Sequence, residues 1–150
     1  MSSDESATDA ELEREYNVRL LRDDLDELMA DWSARGADYR AKADCQLDLA
    51  YGERERERID LFRSGTPGAP LLAYIHGGYW QRGDKSVYSF VAEPFAERGV
   101  DVAMLSYNLC PDGDIALLTA QVRAAIAWLW RNAPDLGVSR DRINVSGHSA

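Results

Sequence analysis

The sequence predicts an α/β protein with a mostly parallel sheet preceded by an antiparallel hairpin, and three observations carry that prediction. Leu71-Leu72-Ala73-Tyr74-Ile75 is an unbroken apolar run, the pattern of a strand covered on both faces. After it, helix-period and strand-like segments alternate up to a short final strand, as successive β-α-β units require. Before it, two period-two segments flank a polar turn. With 150 residues, 45% of them hydrophobic, the chain has material for one ordinary domain or part of one.

Thr8-Asp9-Ala10-Glu11 has the spacing of a capping box, so a helix is expected to start there after a polar tail. Leu21, Leu25, Leu28, Met29 and Trp32 recur at three- and four-residue steps and share one face, with Asp23, Asp24, Asp26 and Glu27 largely outside it. Such a stripe reads as a helix packing on a neighbouring domain. Gly36 is expected to interrupt it before a second short helix around residues 38–43. Leu47, Leu49 and Tyr51 then alternate with polar or small neighbours as in a half-buried strand, and Gly52 marks a turn. The sign-alternating run from Glu53 to Arg58 reads as a solvated hairpin end, because exposed ion pairs contribute little. Ile59 and Leu61 lie on one face of the returning strand.

Turn chemistry from Ser64 to Pro70 separates this outer section from the buried strand at 71–75. The loop His76-Gly77-Gly78-Tyr79-Trp80 follows, then a helix over residues 86–98 that Pro94 bends or splits, then a strand over 100–105. Ile115, Leu118, Val122, Ile126 and Leu129 form the apolar stripe of a helix over 114–131, which Pro134 and Gly137 end. Ile143 and Val145 are the core of the last strand. On this reading residues 1–45 are an acidic N-terminal tail with helices, and residues 46–150 are the α/β part.

The formal net charge is −9, and residues 1–60 hold 18 acidic and 9 basic side chains against 8 and 8 in residues 61–150. A chain with no basic footprint is not expected to bind nucleic acid, and the acidity mainly favours solubility. The first residues lack a basic start and apolar run, and no stretch has the length of a membrane span, so a cytoplasmic protein without a membrane partner is expected. Cys45 and Cys110 are too far apart for a Cys-x-x-Cys site, and His76 and His148 have no ligand-spaced companion. No disulfide framework, zinc site or histidine-based metal centre is expected.

Two loops follow buried strands and carry chemistry. Gly147-His148-Ser149-Ala150 matches the first four positions of a Gly-x-Ser-x-Gly turn, which lifts a serine hydroxyl clear of a sheet for attack on a carbonyl. A bare Gly-x-Ser arises about once per 200 positions by chance, so a second signal is required. His76-Gly77-Gly78-Tyr79 supplies one. Acyl transfer needs backbone N–H groups beside the nucleophile to receive the oxyanion, and glycines allow that close approach; the alternative for this loop is an ordinary tight turn. The residue after the serine, Ala150, adds a further donor. His76 reads as a loop-shaping residue, as does Gly77, and His148 as packing beside the turn rather than acting as a base.

The chain resembles the N-terminal portion of an α/β-hydrolase of the kynurenine formamidase (arylformamidase) type. Glu13-Arg14-Glu15-Tyr16-Asn17, Leu47-Asp48-Leu49-Ala50-Tyr51-Gly52, Ile75-His76-Gly77-Gly78-Tyr79-Trp80, Asp84-Lys85-Ser86 and Ser146-Gly147-His148-Ser149-Ala150 carry the resemblance. It implies cofactor-free hydrolysis of an N-formyl arylamine, N-formylkynurenine in tryptophan breakdown, with some esterase activity on small-molecule amides or esters. By position it implies Ser149 as nucleophile and the amides of Gly78, Tyr79 and Ala150 as the oxyanion hole. Tyr79 and Trp80 would flank an aromatic substrate or simply pack in the wall.

The triad aspartate and histidine of that family follow the serine, and the 150 residues contain neither at such positions. The chain by itself is therefore expected to be an incompetent hydrolase. Its last strand is expected to present an apolar edge. Two other readings stand beside the formamidase: a general carboxylesterase, and a non-catalytic half-fold that binds a partner.

Overall fold

The computed structural model describes residues 8–17, 20 and 22–150. They belong to two compact units, one up to Asp31 and one from Trp32 to Ala150. In the first, helix α1 (Asp9–Tyr16) begins with the expected capping box: the Thr8 hydroxyl accepts from the Glu11 amide, and the Glu11 carboxylate accepts from the Thr8 amide. Helix α2 (Leu25–Lys42) follows, with Leu25, Leu28, Met29 and Trp32 half-buried and Asp26 and Glu27 exposed, as the stripe predicts. Leu21, assigned to the same stripe, lies outside the described residues.

Gly36 does not interrupt this helix. It is buried within α2, and a Cβ there would lie 3.0 Å from the carbonyl oxygen of Val87 and closer still to that of Ser86. The glycine thus allows close contact between a helix and a neighbouring backbone, which outweighs its poor intrinsic helix propensity.

In the second unit a five-stranded mixed sheet runs in the order β1-β2-β4-β3-β5. The strands are β1 (Cys45–Ala50), β2 (Arg58–Phe62), β3 (Leu71–Ile75), β4 (Asp101–Leu105) and β5 (Ile143–Gly147). β1 and β2 form the predicted antiparallel hairpin at one edge, and β2 joins β4 antiparallel. β3 lies parallel to both β4 and β5.

Strand alternation divides the core between the two faces of the sheet. Ile59, Leu61, Leu71, Ala73, Ala103 and Leu105 form one cluster with Ala125 and Leu129, which come from helix α4 (Ile115–Asn132). Phe62, Tyr74, Val102 and Met104 form the other with Tyr39 and Tyr88. Asp114 caps α4 by accepting from the Leu117 amide. Between β3 and β4 the helix expected over 86–98 is split, as Pro94 suggested, into a 3-10 turn (Ser89–Ala92) and the single turn α3 (Glu93–Ala96). Pro94 sits in the first turn of α3, where its missing N–H leaves no bond unmade.

The hairpin end is more than a solvated turn. Arg56 donates to the carbonyls of Tyr107 and Gly83, and Glu57 accepts from the side chain of Gln121, a buried residue of α4. On β2, Asp60 points away from Ile59 and Leu61 and is fully buried; it accepts from Lys85 Nζ at 2.8 Å and from the Asp48 amide at 2.8 Å. Val145 on edge strand β5 and Trp130 on α4 are each about half exposed.

Candidate active site

Registry brings the two chemical loops together. β3 and β5 are neighbouring parallel strands with Ile75 opposite Gly147, so the loop after Ile75 and the turn after Gly147 leave the same end of the sheet side by side. The His148 amide continues the ladder by donating to the Ile75 carbonyl at 3.2 Å. The loops then touch: a Cβ on Gly77 would lie 2.9 Å from Ser149 Cβ and 2.8 Å from the Ser149 carbonyl oxygen. Only glycine fits there.

The backbone is strained on both sides of this contact. Ser149 has φ 54°, and Tyr79 and Trp80 have φ 55° and 57°, with Gly78 at 133°. A left-handed conformation at a residue with a side chain costs on the order of 1 kcal/mol or more and persists only where the surroundings impose it. Ser149 thus leaves β5 on a positive-φ turn. The serine is exposed, and among the described residues no side chain exchanges a hydrogen bond with its hydroxyl. His148 is exposed rather than packed beside the turn. Ala150 follows as the last residue.

His76 anchors the base of the other loop. It is fully buried, and its Nδ1 donates to the Gly77 carbonyl at 2.9 Å, which leaves Nε2 bare and, among the described residues, without a partner. The imidazole stacks between two tyrosines, with ring centroids 4.6 Å from Tyr107 and 5.9 Å from Tyr88. Burial holds its pKa below the ordinary 6.5, against the opposing pull of the Gly77 hydrogen bond and the Asp84 charge. The ring is thus neutral and buried, with one nitrogen committed to the Gly77 carbonyl.

Tyr79 and Trp80 stand at the tip of the loop, 72% and 39% exposed, with ring centroids 5.3 Å apart. Trp80 lines a cavity with Ile75, Tyr107, Leu118 and Ala150. The Trp80 carbonyl accepts from the Cys110 amide at 2.7 Å, which ties the tip to the loop after β4. Asp84, at the return of the loop, is pushed up by burial, but hydrogen bonds from the Ser86 hydroxyl and amide and the charges of Lys85 and Arg56 hold it below its ordinary value.

Reading the sequence alone missed two supports of this site and one buried ion pair. Tyr107, just beyond the end of β4, donates its hydroxyl to the His76 carbonyl, and its place after a buried strand was the available signal. Arg56 was hidden in a charge-alternating run. The Asp60–Lys85 pair joins residues 25 apart, and no local pattern announces it. Among the described residues no group of three or more His, Cys, Asp or Glu could hold a metal ion, and no helix is long and apolar enough to cross a membrane.

Comparison with known proteins gives the family and the fold. A family model described as BD-FAE matches residues 59–150. The chain is 34% identical over its whole length to a kynurenine formamidase of Danio rerio, covering 53% of that protein. Over 68% of the chain it is 32% identical to an isoprenylcysteine alpha-carbonyl methylesterase of Arabidopsis thaliana, covering 24% of that protein. The crystal structure of a proposed thioesterase from Silicibacter sp. TM1040 superposes on 79% of the chain, and 44% of its own, with TM-score 0.69 and 36% identity. The chain thus spans about half or less of the length of the relatives it matches. Its sheet and connections are those of an α/β-hydrolase fold, open at β5, and the chain belongs to the BD-FAE family.

Proposed function

We propose that residues 46–150 are the N-terminal part of a serine hydrolase domain whose substrate is an N-formyl arylamine of the N-formylkynurenine kind. The observation that carries the reading is the contact between Gly77 and Ser149, because it sets a positive-φ serine against a glycine loop at the ends of adjacent parallel strands. Similarity to the Danio rerio formamidase supports the substrate class. Ser149 Oγ attacks the formyl carbon and passes its proton to a base, and the amides of Gly78, Tyr79 and Ala150 receive the oxyanion. The aryl amine leaves with that proton, and water then releases formate and frees the serine. Each oxyanion donor of this kind contributes about a hundredfold or more to the rate. The exposed rings of Tyr79 and Trp80 are available to flank an aryl group.

Neither histidine of the chain is suited to be the base. His76 is buried with Nδ1 committed to Gly77, and His148 is the serine's immediate neighbour in sequence. Residues 1–150 expressed by themselves are therefore expected not to turn over substrate. Ester hydrolysis is the second reading, favoured by similarity to the methylesterase.

The test uses the product of the complete gene. It should cleave N-formylkynurenine faster than simple aryl esters and lose that activity in Ser149→Ala. Faster turnover of esters selects the second reading, and full activity in Ser149→Ala removes both.

A further inference from the structure

We propose that Arg56 is a positioning residue that holds the oxyanion loop in its working shape; this rests on the hydrolase reading above. Three arginines alternate with glutamates in the hairpin end, and they behave differently. Arg58 turns back on the carbonyls of Gly52, Arg54 and Glu57 within its own hairpin. Arg56 reaches out of the hairpin to two other segments. Its Nε donates to the Tyr107 carbonyl at 2.7 Å, its Nη2 donates to the Gly83 carbonyl at 2.9 Å, and Nη2 also lies 3.5 Å from the Asp84 carboxylate.

Both segments bear on the loop that carries Gly78 and Tyr79. Gly83 closes that loop, and a Cβ there would lie 2.7 Å from His76 Nδ1 and 2.5 Å from the Gly77 carbonyl oxygen, so the returning segment of the loop rests directly on its start. Tyr107 donates to the His76 carbonyl and stacks on its ring. One planar guanidinium therefore ties together the two backbones that clamp His76 and Gly77. A lysine could not reproduce this, because an ammonium lacks the rigid fork that spans two carbonyls.

The segment bound by Arg56 is otherwise held from the same hairpin. The Tyr51 hydroxyl donates to the Ser106 carbonyl at 2.7 Å, and Glu57 and Asn108 share the side-chain amide of Gln121. Without Arg56 the chain around Tyr107 keeps these ties, whereas Gly83 loses its only side-chain donor among the described residues. The expected failure is thus a displaced loop in a folded protein. Displacement of reacting groups by about 1 Å costs on the order of a hundredfold in rate.

The experiment measures kcat and KM of the complete gene product carrying Arg56→Ala or Arg56→Lys, with active sites titrated by an aryl fluorophosphonate, from which Ser149 Oγ displaces fluoride. The inference expects kcat per titrated serine to fall about tenfold to a hundredfold in both variants, with KM changed by less than about threefold. Added guanidinium ion should restore part of the Arg56→Ala loss. A purely structural role would lower the number of titrated sites and leave kcat per site unchanged, and that result overturns the inference. If Arg56→Ala does not fold, Arg56→Lys, with its charge and most of its volume retained, decides alone. A wild-type protein that neither titrates nor turns over substrate overturns the hydrolase reading, and the inference falls with it.

Discussion

Tyr107 grips His76 twice, through a hydroxyl that donates to the His76 carbonyl and through a ring stacked 4.6 Å from the imidazole. Tyr107 is buried, and burial raises its pKa, so the hydroxyl stays a donor across the working range. Tyr107→Phe keeps the stack and removes the donor, which leaves the His76 carbonyl at the base of the glycine loop short of its partner. The expected cost is about 1–3 kcal/mol in urea unfolding, with a lowered kcat in the complete gene product. Wild-type stability in this variant would show that the hydroxyl carries no weight.

Gly77→Ala tests the contact between the two loops. The added methyl meets Ser149 Cβ and the backbone carbonyls of His148 and Ser149, none of which is a flexible side-chain end. Overpacking against backbone costs about 1–3 kcal/mol, and the serine turn is the element that must give way. Labelling of Ser149 by a fluorophosphonate should be nearly abolished in a variant that still melts cooperatively. Undiminished labelling would mean that the loops are not in contact.

The depressed pKa of His76 makes stability depend on pH in a stated direction. The unfolded chain takes up a proton on this ring near 6.5, while the folded chain resists it because burial disfavours the charge. Between 6.5 and the lower folded value the unfolded state binds more protons, so stability falls as pH falls. The loss begins near pH 6.5, grows with a slope of up to about 1.4 kcal/mol per pH unit, and levels off below the folded value. Asp84, whose pKa is likewise lowered, adds a loss that begins only near its ordinary 3.8. His76→Asn keeps a donor for the Gly77 carbonyl and cannot titrate. The wild-type minus variant difference in urea unfolding should decline from pH 7.5 to pH 5, and a flat difference would refute the account.

Gly36→Ala sets two principles against each other. Helix propensity favours alanine by about 1 kcal/mol. The methyl would press on the backbone carbonyls of Ser86 and Val87, and crowding of that kind costs about 1–3 kcal/mol. Net destabilisation is expected, read as a lower urea midpoint. A higher midpoint would show that α2 can move away from this segment at little cost.

Local patterns were read well where one element settled the matter. The capping box at Thr8, the unbroken run at 71–75, the hairpin and the stripe on α4 appear as expected, because each depends on neighbours within a few residues. Gly36 was misread for the opposite reason: what decides it is a partner far along the chain, the backbone of Ser86 and Val87. Arg56 looked like surface charge because its acceptors, at Gly83 and Tyr107, are 27 and 51 residues away.

The sequence by itself determined most of the elements, the strand ends from which the two loops depart, and the residue types at Ser149 and His76-Gly77-Gly78. Periodicity, turn chemistry and a short motif are local quantities, and they need no fold to be read. Only the tertiary structure decided that Ile75 stands opposite Gly147, that Gly77 meets Ser149, and that Tyr107 and Arg56 brace the loop from behind. Strand order and registry follow from burying two faces of one sheet at once, a condition on the whole chain that no short stretch of it can express.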